Sequence, residues 1–160
     1  MGGIPEMNPM KANKTAQNTR LAEFLCFAVY STNLAFGKVY RPLLDELGLT
    51  YTQYVTVVAL WEEDDQTVGS LGEKLFLESN TLTPILKKLE AMGHVERTRD
   101  PTDERQVRVR LTNSGRRLRE KAFGTDLVEA CGMSATEFKR LQKDIVDLRT
   151  NLLKFAGKES

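Results

Sequence analysis

Apolar residues recur along this chain at two periods, and the order in which those periods alternate outlines a fold. A long first helix is predicted from about Thr19 to Val39, and Pro42 is expected to interrupt it and reopen a short helix ending at Gly48. Thr50-Tyr51-Thr52-Gln53 has the form of a capping box, so the next helix starts there and turns Tyr54, Val55, Val58 and Trp61 inward as far as the acidic turn Glu62 to Asp65. A shorter helix follows from Thr67 to about Leu77, with Val68, Leu71 and Leu75 on one face. Another opens in the cap-rich cluster Ser79-Asn80-Thr81, carries Leu82, Ile85, Leu86, Leu89 and Met92 at helical spacing, and stops at Gly93. Pro84 fits only near its start, where N–H groups lack partners anyway. The period then changes to two. Val95 to Arg99 leads into the turn Asp100-Pro101-Thr102-Asp103-Glu104, and Val107, Val109 and Leu111 alternate with Arg108 and Arg110 as in a half-buried strand.

After this hairpin, Thr112 caps a helix expected to reach about Ala130, and Ser134-Ala135-Thr136-Glu137 forms a second capping box. Beyond it Phe138, Leu141, Ile145, Leu148, Leu152 and Phe155 fall at alternating steps of three and four, a heptad-like seam. A terminal helix with such a seam needs a partner, and Phe24 to Tyr30, apolar all round, suits a helix covered on both sides. The predicted class is mostly α with a small β-hairpin wing: a winged helix-turn-helix, dimerised through N- and C-terminal helices. It divides into a tail (1–18), N-terminal dimerisation and sensing helices (19–48), a winged-helix DNA-binding domain (49–112) and C-terminal dimerisation helices (113–160). A two-fold homodimer would set two recognition helices in successive major grooves, roughly 34 Å apart, and require a palindromic operator.

Burying the apolar stripe of the helix at Ser79 leaves Ser79, Asn80, Thr81, Thr83, Lys87 and Lys88 for the opposite face, hydrogen-bonding and cationic groups suited to a double-stranded DNA groove. Arg105 and Gln106 lie at the edge of the wing. Arg105 is expected to be held by a local ion pair with Asp103 or Glu104 while it reaches toward a narrow minor groove. Singly, each of these charges is as readily a solvated surface group; their joint placement on a helix-hairpin frame is the argument. Net charge is only +1, but its distribution is uneven. Between Tyr51 and Glu78, Lys74 stands alone against six acidic residues, whereas Ser79 to Leu111 carries seven cations against five anions.

The N-terminal residues, interrupted by Pro5 and Pro9, lack the apolar core of a signal peptide, and no membrane span is present, so a cytoplasmic protein is expected. Two distant cysteines, Cys26 and Cys131, and a single histidine make neither a CxxC motif nor a zinc site, so no metal or cofactor is expected. By residue type alone the two thiols are either small core residues or a redox switch.

Asp103-Glu104-Arg105 followed by Leu111-Thr112 resembles the wing of the MarR family of dimeric winged-helix regulators, and the likeness runs from about Leu21 to Phe155. The stretches Leu25 to Ser31, Tyr40 to Leu44, Leu49 to Tyr54 and Ser79 to Lys87 resemble its OhrR branch, the organic hydroperoxide sensors. That resemblance implies a repressor, not an enzyme, whose sensing thiol is Cys26, supported by Tyr40 and Tyr51 of the other subunit, with Phe24, Phe27 and Val29 walling a pocket for an organic hydroperoxide inducer. Phenolic O–H groups stabilise a thiolate that apolar surroundings would otherwise disfavour. Cys131, three residues before the Ser134 capping box and so near the start of the last helix, resembles the resolving cysteine of the two-cysteine type, which implies an intersubunit disulfide after Cys26 becomes a sulfenic acid. Two other readings stay open at this point: a MarR-type repressor released by a small aromatic ligand, and a thiol peroxidase, for which the chain lacks the α/β pattern.

Overall fold

The computed structural model describes residues 20–122 and 126–157; the expected N-terminal tail lies outside the described residues. Two compact units result, one ending at Phe36 and one beginning at Gly37. In the first, a single 3-10 turn at Leu21–Glu23 leads into α1 (Leu25–Leu47). As far as Leu34, its large apolar side chains are not covered: Leu25, Phe27, Val29, Tyr30 and Leu34 are all exposed.

Pro42 does not break α1, contrary to expectation, and lies inside it. An internal proline costs about 3 kcal/mol. The turn behind it buries Leu43, Leu44 and Leu47, and fully burying such side chains is worth about 1.5–3 kcal/mol each, which offsets the lost bond.

The second unit is built on α2 (Tyr51–Glu62), β1 (Gln66–Thr67), α3 (Val68–Leu75), α4 (Ser79–Ala91), β2 (Val95–Arg99), β3 (Val107–Leu111) and α5 (Asn113–Lys121). The capping box at Thr50 forms as its residue types require, with Gln53 N–H donating to Thr50 Oγ1 and Thr50 N–H donating to Gln53 Oε1. The inward face of α2 differs from the expected one. Val57, Ala59 and Leu60 enter the core with Thr56 and Gln53, while Tyr54, Val55, Val58 and Trp61 are only half-buried. A helix this apolar on every side gives periodicity nothing to choose between, and packing decides. Leu71 of α3 and Leu82, Leu86 and Leu89 of α4 complete the core with no exposed surface, against Val95, Val109 and Leu111 of the sheet.

α4 starts at Ser79 with Glu78 at the cap position, so Ser79, Asn80 and Thr81 lie in its first turn and do not cap it. Pro84 stands in the second turn, deeper than expected, and Met92 at the end of the stripe is exposed. Gly93 takes the left-handed conformation (φ 78°) that ends the helix. The sheet has the order β1-β3-β2, all antiparallel, with Val95 opposite Leu111 and Gln66 opposite Val109. Nothing in the sequence announces β1, because two residues carry no period.

An acidic turn fastens this sheet to the helices. Asp65, in a left-handed conformation (φ 58°), accepts from Arg108 Nε at 2.8 Å and Arg110 at 2.9 Å. Asp64 accepts from the Leu111 backbone N–H at 2.9 Å and from Arg116 at 2.6 Å. At the other end of the wing, Asp100 holds Thr102 and Asp103 in a turn and pairs with Arg108 at 2.9 Å.

The helix from Thr112 is shorter than expected. α5 ends at Lys121, and Asp126 caps a separate turn, α6 (Leu127–Ala130), by accepting from Glu129 N–H. The second capping box forms between Ser134 and Glu137, and α7 (Ala135–Gly157) follows with none of its residues buried. Leu141, Ile145, Leu152 and Phe155 of the seam are exposed, and Phe138 and Leu148 half so.

Hydrogen bonds from Arg110 and Arg108 hold the Asp65 carboxyl down to about 2 from its ordinary 3.8, and Asp64 is lowered by its bonds to Leu111 and Arg116 despite burial. Carboxylates depressed in the folded state stabilise it above their unfolded pKa, and that contribution is lost as pH falls toward the folded value. Chemical unfolding across an acid series should therefore show stability falling from about pH 5 to about pH 2, with a shallower fall in Asp65→Asn. Equal slopes in the two proteins would refute the assignment.

Candidate DNA interface and thiol site

The start of α4 and the wing enclose an open cleft of about 510 Å³, lined by Ser70, Ser79, Thr83, Arg97, Arg105 and Gln106 among others, with Glu73 as its one carboxylate. Ser79 and Thr83 come together here because residues four apart share a helix face. The Thr83 hydroxyl donates back to Ser79 O at 2.7 Å, leaving its oxygen free to accept. At about 100° per residue, Asn80 and Lys87 lie on the same side of α4 as this pair, whereas Thr81 and Lys88 fall on the other flank. All four are exposed.

Arg105 differs from expectation. The Asp103 carboxylate accepts from the Arg105 backbone N–H at 3.1 Å and from Gln106 Nε2 at 3.2 Å, and among the described residues no ion pair involves the Arg105 guanidinium. Asp103 thus shapes the loop and leaves the guanidinium unspent. Sequence reasoning misses Arg97, whose partner lies in another element. Its guanidinium and backbone N–H both bond Glu90 of α4, tying β2 to the helix that faces the cleft. Ser70 and the capping Thr67 also line the cleft, and of the two only Thr67, as a helix start, carries a signal in the sequence.

The thiols and their proposed supports divide between the units. Cys26 lies exposed in the first, on α1 with Phe27 and Val29; Phe24 precedes the helix in extended conformation. Phe27 and Tyr30 touch, with ring centroids 6.3 Å apart. In the second unit, Tyr40 and Tyr51 meet edge to face at 5.3 Å, and Tyr54 joins Tyr40 at 6.0 Å. Burial raises the pKa of Tyr40, followed by the charges of Tyr51, Tyr54 and Cys131, so its O–H stays a donor at neutral pH. Cys131 is therefore within electrostatic reach of Tyr40. It lies four residues before α7, near its start as expected, and there forms the C-terminal cap of α6, with its N–H donating to Leu127 O at 2.9 Å.

A family model for the transcriptional regulators SarA/Rot matches residues 38–122, from the tyrosine cluster through α5. The chain belongs to this family of transcriptional regulators. Over 136 residues it is 46% identical to the organic hydroperoxide resistance transcriptional regulator of Bacillus subtilis, covering 83% of this chain and 92% of the relative. It is also 42% identical over 157 residues to the HTH-type transcriptional regulator TtmR of Methylorubrum extorquens, covering 97% of this chain and 80% of that one. Reduced AbfR bound to DNA, a protein of Staphylococcus epidermidis, superposes with a TM-score of 0.72 at 37% identity, over 84% of this chain and 94% of that one. The winged-helix architecture of this family member is the one its residues predict. The family model spans Tyr40, Tyr51 and the whole cleft, but neither cysteine.

Proposed function

We propose that this family member is a homodimeric repressor of the OhrR branch and two-cysteine type, acting in the cytoplasm, that binds a palindromic DNA operator when reduced and leaves it when an organic hydroperoxide oxidises Cys26. The observation that carries the reading is the edge-to-face contact of Tyr40 and Tyr51, with burial raising the Tyr40 pKa, on a chain whose exposed Cys26 stands among uncovered apolar side chains. A second copy closing over 21–36 and α7 would cover those side chains and bring Cys26 to the partner's phenols. Phe24, Phe27 and Val29 would then favour alkyl peroxides over hydrogen peroxide.

The chemistry balances in two steps. The Cys26 thiolate attacks a peroxide oxygen, the O–O bond breaks, an alcohol leaves after taking a proton, and sulfur is oxidised to sulfenic acid. The thiolate of Cys131 from the other subunit then attacks that sulfur, forming S–S and expelling hydroxide, which leaves as water on taking up the proton the Cys131 thiol gave up. On DNA, Ser79, Asn80, Thr81 and Thr83 read base edges or position the helix start, Lys87 and Lys88 meet phosphate, and Arg105 with Gln106 enters the minor groove. Similarity to a regulator named for organic hydroperoxide resistance and to a reduced, DNA-bound relative supports this reading over a ligand-released repressor or a peroxidase.

Arg105→Ala should cost operator binding about 1–3 kcal/mol, while Lys87→Ala should weaken all sequences alike and lower the salt slope by about one. Unchanged affinity in both would overturn the docking. On non-reducing gels an alkyl hydroperoxide should produce a covalent dimer in wild type that is absent in Cys26→Ser and in Cys131→Ser. A covalent dimer persisting in Cys131→Ser would contradict the pairing, and unmodified cysteines in a protein that still leaves DNA would favour ligand control.

A further inference from the structure

The aromatic cluster does not end at the phenols. Tyr54, in contact with Tyr40, also meets Trp61 edge to face at 6.3 Å, about two helical turns further along α2. Trp61 Nε1–H donates to the Gly115 carbonyl at 2.9 Å, a bond from the end of α2 to the first turn of α5. Gly115 is gripped on its other side. A Cβ there would collide with the His94 carbonyl, and its N–H donates to the capping Thr112 Oγ1 at 3.1 Å. Thr112 in turn donates through its hydroxyl to Gly93 O at 2.6 Å and through its backbone N–H to His94 O at 3.1 Å. Gly93 and His94 join the end of α4 to the start of β2. A continuous line of ring contacts and hydrogen bonds thus leads from Tyr40 and Tyr51 to the hinge between the DNA-facing helix and the wing.

We propose that Trp61 is the positioning residue that transmits displacement of the Tyr40–Tyr51 pair to α4 and the wing, through its indole N–H on Gly115. The inference rests on the redox reading above and deepens it. Close packing makes such a line effective: α5 cannot slide against His94 with Gly115 pressed on its carbonyl, so a shift of the indole moves both.

Trp61 is the chain's single tryptophan, so its emission reports this bond directly. In the full-length wild-type protein, alkyl hydroperoxide should shift that emission and lower operator affinity within the 5–150-fold range of about 1–3 kcal/mol typical of coupled sites. Trp61→Phe keeps a ring but removes the donor. It should bind operator as wild type does when reduced and should be oxidised to the same extent by mass spectrometry, yet lose less than about threefold in affinity on oxidation. Tyr54→Leu, which breaks the ring contacts and leaves the indole bond, should be decoupled in the same way. Full release by oxidised Trp61→Phe would overturn the relay while leaving the sensor intact. Wild type that keeps its operator with Cys26 oxidised would overturn the sensor and the relay with it. If Trp61→Phe does not fold, wild-type emission decides: DNA release with no change in Trp61 emission overturns the proposal.

Discussion

The carboxylates of Asp64 and Asp65 occupy consecutive positions in one turn, and between them they hold two side chains of β3, one backbone N–H of β3 and one side chain of α5. Exposed ion pairs taken singly are worth about 0–1 kcal/mol. This turn differs because its acceptors are shared among several donors and because Asp65 must adopt a left-handed backbone to reach them. The wing's arginines are divided among this turn and other partners. Arg108 and Arg110 are held at its base, and Arg97 is held by Glu90, so those guanidiniums serve the frame. Arg99 donates to the Glu104 carbonyl, and among the described residues no partner is found for the Arg105 guanidinium, at the tip and beside the cleft. A wing whose base is fixed by arginine and whose edge keeps one arginine uncommitted can meet a phosphate-lined groove without giving up its own geometry.

Local signals that close over three or four residues are legible in the sequence. The two capping boxes, Gly93 as a helix stop and the alternation from Val107 to Leu111 each state their own conformation. Features set by tertiary contact are not. Pro42 and Pro84 remain inside helices because the leucines around them are buried, a gain that propensity does not record. The inward face of α2 is unreadable because polar Gln53 and Thr56 turn into the core while apolar Val55 and Val58 stay half-buried. The break at Asp126 hides in an otherwise helical run, and β1 exists only because β3 offers it an edge. For the site, residue types and resemblance point to Tyr40, Tyr51 and the two thiols, while Tyr54, Trp61 and Gly115 look like ordinary packing. The bond from Trp61 to Gly115 spans α2 and α5, and no local pattern encodes a contact of that range.

The distribution of apolar surface bears on how the proposed switch would work. The second unit closes a core of its own, while α7 and the stretch up to Phe36 leave large side chains in water. Burial of those side chains against a second copy would make the sensing cysteine and the dimer interface one and the same place. Under the proposed function, oxidation there would act on an element that also makes the partner contacts, which is where a few kcal/mol of bias are most easily converted into a change of state.

Operator affinity of the wild-type protein, measured on one sample before and after one equivalent of an alkyl hydroperoxide and again after a thiol reductant, tests the central claim most directly. Binding should be tight when reduced, fall about tenfold or more on oxidation with mass loss of two hydrogens for each Cys26–Cys131 pair, and recover fully on reduction. Affinity that stays unchanged while Cys26 is oxidised would contradict it.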